Sequence, residues 1–231
     1  MLEILYQDEY IVAINKPRDL LVHKSFIASD IQEYAVQLLR DQIGQYVYPV
    51  HRLDRKTSGV LLFALSKEIL KQLNDDFATR KVEKKYIAIV RGFTLDEETI
   101  DYALTNDAGK YQEARTYYKT LQRVEVNLPF GKYLTSRYSL VEAYPDTGRQ
   151  HQLRKHFKHV FHPILGSRPH GCNKQNKLWM DQFGLMAMLL HAVELSFKHP
   201  ITQMDIRVFA RIDDAYTQYN KVLGFDLAKY Y

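Results

Sequence analysis

The chain carries the sequence HRLDRKTSG at residues 51–59, directly followed by the apolar run VLLFAL at residues 60–65. An apolar run of this length, bounded by turn-forming residues, predicts a buried strand. Asp54 is then the acidic residue just before a strand, and neighbouring cations favour the ionised form of its carboxyl. An ionised carboxylate in such a place can act as a nucleophile or a base, and the cations can hold a phosphate backbone. The structural alternative is a solvated surface ion pair.

The sequence on either side of this stretch predicts an α+β domain with a mixed, mostly antiparallel sheet and flanking helices. Alternating and apolar runs predict strands at 10–15, 20–23, 46–50, 60–65, 84–92, 114–126, 133–144, 193–197 and 206–210. Apolar residues at helical spacing predict helices over 31–41 (Asp30 as N-cap, Gly44 as the end), after Ser66, from Thr147 through Phe157, and over 213–223. We expect a single domain over residues 1–231.

The amino-acid composition indicates which class of partner the protein can bind and in which cellular compartment it is expected. The 231 residues include 32 Lys and Arg against 27 Asp and Glu, a formal charge of +5, together with 17 Tyr, which is compatible with an RNA partner. One cysteine, Cys172, excludes an intramolecular disulfide. No basic, apolar leader precedes the first strand, and the apolar runs are too short to cross a bilayer. These features predict a cytoplasmic protein without a membrane segment. Glycine-rich phosphate loops are absent from the sequence, which disfavours a nucleotide cofactor.

Three sequence patterns that could supply catalytic side chains follow one another along the chain: HRLDRKTSG at 51–59, KKY at 84–86 and TGRQHQLR at 147–154. They are framed by NKP at 15–17, LHA at 190–192 and HP at 199–200. Together they resemble the RluA family of pseudouridine synthases, and the resemblance extends from Leu5 to Ala210. Residues 1–9, 40–45 and 90–92 are similar to the family members that modify the uridine at position 65 in the T-stem of tRNA. The resemblance implies the pseudouridine synthase fold with a central active-site cleft, and no N-terminal S4-like domain.

The same resemblance implies a role for individual residues. Asp54 matches the essential carboxylate that acts on the ribose as nucleophile or base. Tyr86 matches the tyrosine that stacks on the uracil and helps to take the C5 proton, and Arg154 matches the arginine that pairs with the carboxylate. Arg52 matches the residue that enters the base stack once the uridine is flipped out. The candidates for phosphate contact are Arg55, Lys56, Arg149 and Arg168.

The isomerisation has no net redox or proton change, so the resemblance implies no cofactor and no metal, and we expect a monomer. Alternatives are the same reaction on ribosomal RNA, a non-catalytic RNA-binding protein, and a glycosidase-like hydrolase that pairs Asp54 with a second carboxylate. The acids considered for that role are Glu68, Glu83 and Glu142. Five histidines cluster at positions 151, 156, 159, 162 and 170, and three of them could ligate zinc. No cysteine pair or His-Glu-x-x-His supports such a site.

Two positions depart from the family pattern. Asp19 stands where relatives usually carry a glycine after Lys-Pro, so it must adopt a left-handed turn conformation that suits aspartate less well. Ser167 follows Gly166 where relatives often have aspartate. We expect this change to remove a charge from the rim of the site.

Overall fold

A computed structural model of the chain describes residues 1–23 and 33–230. In chain order the strands are β1 (Glu3–Gln7), β2 (Ile11–Lys16), β3 (Tyr48–Pro49), β4 (Ser58–Ala64), β5 (Glu83–Arg91), β6 (Glu97–Asp101), β7 (Leu104–Thr105), β8 (Tyr111–Gln112), β9 (Arg115–Val126), β10 (Ser136–Pro145), β11 (Leu190–Lys198) and β12 (Asp205–Phe209). The helices are α1 (Ala35–Ile43), α2 (Lys67–Ala78), α3 (Gln152–His159), α4 (Asn173–Phe183), α5 (Asp214–Leu223) and a short 3₁₀ turn at Leu227–Lys229. The α+β class predicted from the sequence is confirmed.

The chain forms two compact units, which we describe separately: Met1–Lys84 with Ala192–Arg211, and Lys85–His191 with Ile212–Tyr231. In the first unit β2 pairs antiparallel with both β1 and β4, and β11 pairs antiparallel with β12. Every residue of β4 is buried, as the apolar run predicted. Helix α2 packs its buried Ile69 and Leu73 into this core. The hydroxyl of Ser66 accepts the N–H of Ile69 at 3.2 Å, which confirms the predicted cap.

The second unit contains the antiparallel strands β5, β10, β9 and β6, each paired with the next. Strands β9 and β10 form the long hairpin that the sequence predicts, with a bridge between Phe130 and Tyr133 near its tip. Fully buried aromatic side chains fill the interior, among them Tyr118, Phe157 and Trp179. This core supports α3, which carries Arg154.

Several predicted boundaries are wrong. Helix α1 begins at Ala35, after Tyr34. It ends at Gly44, as predicted, and Gly44 has a left-handed φ of 72°. The predicted Asp30 cap lies outside the described residues. The predicted strand at 20–23 is reduced to one bridge between Leu21 and Tyr34, and that at 46–50 to Tyr48–Pro49. The sequence pattern did not predict β1, β6, β7, β8 or α4, all of which are short or weakly periodic.

The predicted start of α3 at Thr147 is wrong. The helix begins after His151, whose φ of 56° is left-handed, and the Thr147 hydroxyl instead donates to Oε1 of Gln152 at 2.6 Å. Within the part of the chain that the structure describes, no helix is long and apolar enough to cross a membrane.

Candidate functional site

Asp54 lies in a turn of the first unit, just before β4. Its carbonyl oxygen accepts the N–H of Thr57 at 3.0 Å, and its side chain is half-buried, between the buried Leu53 and the exposed Arg55. Arg52 and Lys56 are exposed as well. The turn therefore holds one carboxylate at the boundary of the core and presents three cations to solvent.

Gly59 connects this turn to β4 by a close backbone approach. Its φ is 112°, and a Cβ at this position would lie 2.1 Å from the carbonyl oxygen of Ala192. Only glycine adopts this conformation without strain and leaves room for the neighbouring strand. Gly59 thus fixes the position at which the Asp54 turn joins β4.

A second turn, residues 17–20, is tied to the Asp54 turn. Lys16 is completely buried, and its ammonium group donates to the carbonyls of Pro17 and Leu20 and, at 3.2 Å, to that of Arg55. The Nε of Arg55 donates to the carbonyl of Asp19 at 3.2 Å. Asp19 has a φ of 66°, which confirms the expected left-handed conformation.

His51 supports the Asp54 turn from the side of β4. Its Nε2 accepts the N–H of Leu62 at 3.1 Å, and its ring stacks on that of Phe77 with centroids 5.1 Å apart. Burial, followed by the positive charge of Lys84, lowers the pKa of His51 to about 3. The imidazole is therefore neutral, with Nε2 as acceptor and Nδ1 carrying the proton. This role of His51 was not predicted from the sequence, because its hydrogen bond to β4 is not visible in a linear pattern.

Tyr86 lies on β5 in the second unit, half-buried and opposite Ala143 of β10. The next residues of β5 are fully buried, so Tyr86 is where this strand reaches the core boundary. Beside it, the ammonium of Lys85 lies 3.8 Å from Oε1 of Glu142. Glu142, considered as a second acid, is thus engaged in an ion pair.

Arg154 is a buried residue of α3, 5% exposed, which excludes an ordinary solvent-facing helix cation. Its Nε donates to the hydroxyl of Ser167 at 3.0 Å, and its Nη2 donates to the carbonyl of Arg168. Ser167 is itself fully buried, and its hydroxyl faces the guanidinium of Arg154. Arg168 exposes its side chain, and Arg149 is half-buried with its Nε donating to the carbonyl of Glu113 at 3.0 Å.

The histidines that suggested zinc have other partners. His151 Nδ1 and His170 Nε2 lie 3.1 Å apart. His156 contacts the hydroxyl of Thr116 and the carbonyl of Tyr102, and His159 stacks on the ring of Tyr102. His162 contacts the carbonyl of Arg91. Burial, then the charge of Arg154, lowers the pKa of His170 to about 4. Among the described residues, no group of three or more His, Cys, Asp or Glu side chains is placed to hold a metal ion.

Comparison with known proteins gives consistent matches along the chain. Residues 10–159 match the family model of RNA pseudouridylate synthases. The chain is 50% identical over 228 residues to tRNA pseudouridine synthase C of Vibrio parahaemolyticus, covering 94% of this chain and 93% of that protein. It is 46% identical over 237 residues to the protein of the same name from Haemophilus influenzae, covering 98% of this chain and 99% of that one.

Solved structures give the same fold. Human RNA Pseudouridylate Synthase Domain Containing 4 aligns with a TM-score of 0.72 at 25% identity, over 96% of this chain and 93% of that one. Human RNA Pseudouridylate Synthase Domain Containing 1 aligns with a TM-score of 0.71 at 24% identity, over 93% and 84% of the two chains. The fold expected from the three sequence patterns is therefore confirmed.

Proposed function

We propose, from the premise that this chain belongs to the RNA pseudouridylate synthase family and is an isomerase, that it converts a uridine of tRNA to pseudouridine. The observation that supports tRNA as the substrate is the 50% identity to a tRNA pseudouridine synthase C over nearly the whole length of both chains. The sequence resemblance further supports the T-stem uridine at position 65 as the target.

The reaction is an isomerisation with no net redox change. The bond from the ribose C1′ to N1 of uracil breaks, the uracil turns, and a bond from C1′ to C5 forms. The proton on C5 leaves and N1 ends protonated, so protons balance. The enzyme must hold the detached base, stabilise charge and supply one nucleophile or base. These tasks need only side chains, which is why we propose no cofactor or metal.

Three side chains are proposed to carry these tasks. Asp54 acts on the ribose as nucleophile or base; its half-buried position beside exposed cations supports this role. Tyr86 stacks on the uracil and helps to take the C5 proton, and its place at the core boundary of β5 supports this assignment. Arg154 pairs with the carboxylate, and a guanidinium buried at 5% exposure suits a fixed charge partner.

The target uridine lies in a stem and must be flipped out before its C1′ and C5 can react. Arg52, exposed two residues before Asp54, is proposed to enter the vacated stack, where a planar guanidinium fits. Phosphate contacts are assigned to Arg55, Lys56, Arg149 and Arg168. Three of the four are exposed and Arg149 is half-buried, as contact with a backbone requires. A tRNA substrate supports a cytoplasmic location, and we propose that the protein acts there as a monomer.

Tritium release tests the proposal directly. Transfer RNA labelled at uridine C5 should lose tritium while the RNA stays intact, and a tRNA with cytidine at position 65 should lose none. Asp54→Asn should reduce release to background and leave RNA affinity within about threefold, because phosphate contacts dominate affinity. Free uracil would indicate a hydrolase, binding without release a non-catalytic protein, and faster release from ribosomal RNA the other substrate class. Each of these results would contradict the proposal.

A further inference from the structure

A short loop, residues 166–168, receives the guanidinium of Arg154. Nε donates to the Ser167 hydroxyl at 3.0 Å, and Nη2 donates to the Arg168 carbonyl. Both acceptors belong to consecutive residues, and the guanidinium is planar with its donors in fixed directions. The position of this loop therefore sets the orientation of the guanidinium plane.

Asn176 of α4 holds the same loop through both ends of its side-chain amide. Its Oδ1 accepts the N–H of Gly166 at 3.0 Å, and its Nδ2 donates to the carbonyl of Ser167 at 2.9 Å. The side chain is 6% exposed, so water does not compete freely for these bonds. A side chain with one acceptor and one donor, spaced as in an amide, matches this pair of backbone groups.

Helix α4 is itself fixed to the sheet, so Asn176 has a rigid base. Gln175 Nε2 and Trp179 Nε1 each donate to the hydroxyl of Tyr138 on β10, at 2.9 Å in both cases. All three side chains are buried. A chain of direct contacts thus runs from β10 through α4 and the loop to Arg154.

Backbone packing limits where the loop can move. A Cβ on Gly166 would lie 1.9 Å from the carbonyl oxygen of Ala187, and one on Gly171 would lie 2.0 Å from that of Ser167. These approaches block shifts of the loop toward Ala187 and toward Gly171. The amide of Asn176 then holds the loop against movement away from α4.

We infer that Asn176 is a positioning residue for the isomerisation, which acts through residues 166–168 to aim Arg154 at its charge partner. The inference rests on the proposed role of Arg154. Asn176 touches neither substrate nor the reacting carboxylate in this scheme. Its loss lets the loop and the guanidinium shift, and a misplacement of about 1 Å in a catalytic arrangement costs about a hundredfold in rate.

The test is Asn176→Asp, which keeps the shape and the acceptor for Gly166 but turns an oxygen toward the Ser167 carbonyl. The matched control is Asn173→Asp, which makes the same charge change at an exposed position of α4. We expect the single-turnover rate of tritium release to fall about ten- to a hundredfold in Asn176→Asp, with RNA affinity within about threefold of the control. The control should keep the wild-type rate within about twofold.

A double-mutant cycle separates positioning from a general loss of structure. If Asn176 acts only through Arg154, Asn176→Asp should have little further effect on the rate of an Arg154→Lys enzyme, because residues in one network are not additive. Equal effects of Asn176→Asp in both backgrounds would overturn the inference. Asn176→Ser, with a smaller side chain and no new charge, repeats the test should Asn176→Asp fail to fold.

The outcomes also separate this inference from the proposed function. An Arg154→Lys enzyme with the wild-type rate would remove the role of Arg154 itself. A slow Arg154→Lys enzyme beside an Asn176→Asp enzyme as fast as its control would leave Arg154 in place and overturn only the role of Asn176. Loss of rate and affinity together in Asn176→Asp would also contradict positioning.

Discussion

Lys16→Met is the most informative perturbation of the first unit. Lys16 is 0% exposed, and its ammonium donates to the carbonyls of Pro17 at 2.9 Å, Leu20 at 2.8 Å and Arg55 at 3.2 Å. Methionine fills the same space with an unbranched apolar chain. The substitution therefore removes the charge and its three hydrogen bonds with little change in packing volume.

The change in the free energy of unfolding is the balance of two destabilising effects and one stabilising effect. Hydrogen bonds to a charged donor contribute about 1.5–3 kcal/mol each, and a buried carbonyl left without a partner costs about 1–3 kcal/mol. Against this, methionine avoids the several kcal/mol needed to desolvate an ammonium group. The groups left behind are neutral carbonyls, so the net loss is set by their unmet hydrogen bonds, reduced by the desolvation that methionine avoids. We expect the free energy of unfolding to fall by about 3 kcal/mol.

Urea unfolding at neutral pH measures this loss, with unchanged m-values as evidence that the unfolding transition is the same. The matched control is Lys81→Met, since Lys81 is 69% exposed and lies 3.5 Å from Asp76. A surface pair of this kind contributes at most about 1 kcal/mol. A Lys16→Met protein within about 1 kcal/mol of wild type would refute the assigned support of the Asp54 turn by this ammonium group.

Three further outcomes follow from the same contacts. Gly59→Ala should unfold the protein or cost more than about 3 kcal/mol, because its Cβ would lie 2.1 Å from the Ala192 carbonyl; Gly148→Ala, with nothing within 4 Å of the added Cβ, should be neutral by the same urea assay. The pKa of His51 is lowered from 6.5 to about 3, so its contribution to stability is complete above pH 6.5 and is lost as the pH falls towards 3. His51→Phe should therefore show a shallower loss of stability between pH 7 and pH 4, and an unchanged slope would contradict the assignment. Chelators should leave tritium release unchanged, and a loss of rate restored by zinc would contradict a metal-free reaction.

Local signals in the sequence predicted several elements of the fold. The six apolar residues after Gly59 predict β4, the hydroxyl of Ser66 predicts the start of α2, and the glycine at 92 closes β5 with a φ of 85°. Each signal acts within a few residues, where backbone geometry and burial directly restrict the side chain. The order of these elements with their charged residues was sufficient to indicate the family.

Elements without such signals were missed or misplaced. Helix α4 begins after Cys172, with no side-chain cap and no acidic residue in its first turn, so its sequence resembles a polar loop. Strand β6 has one buried residue among five, Ile100, which gives no alternation to recognise. Both elements form because tertiary contacts stabilise them, and such contacts override weak local propensity.

The buried cations Lys16 and Arg154 can be recognised in the sequence as parts of motifs, but their hydrogen-bond partners cannot be predicted from it. Lys16 donates to a carbonyl 39 residues away along the chain, and Arg154 donates to a hydroxyl 13 residues away. In each unit a positive charge is taken out of water, which is costly unless all its donors are satisfied. Backbone carbonyls can satisfy them only when a loop has one particular conformation. Each cation therefore stabilises that loop conformation, and the loop in turn fixes the cation. This mutual dependence exists only in the folded chain. The sequence pattern shows the lysine or arginine, but it does not show the loop conformation that the cation stabilises.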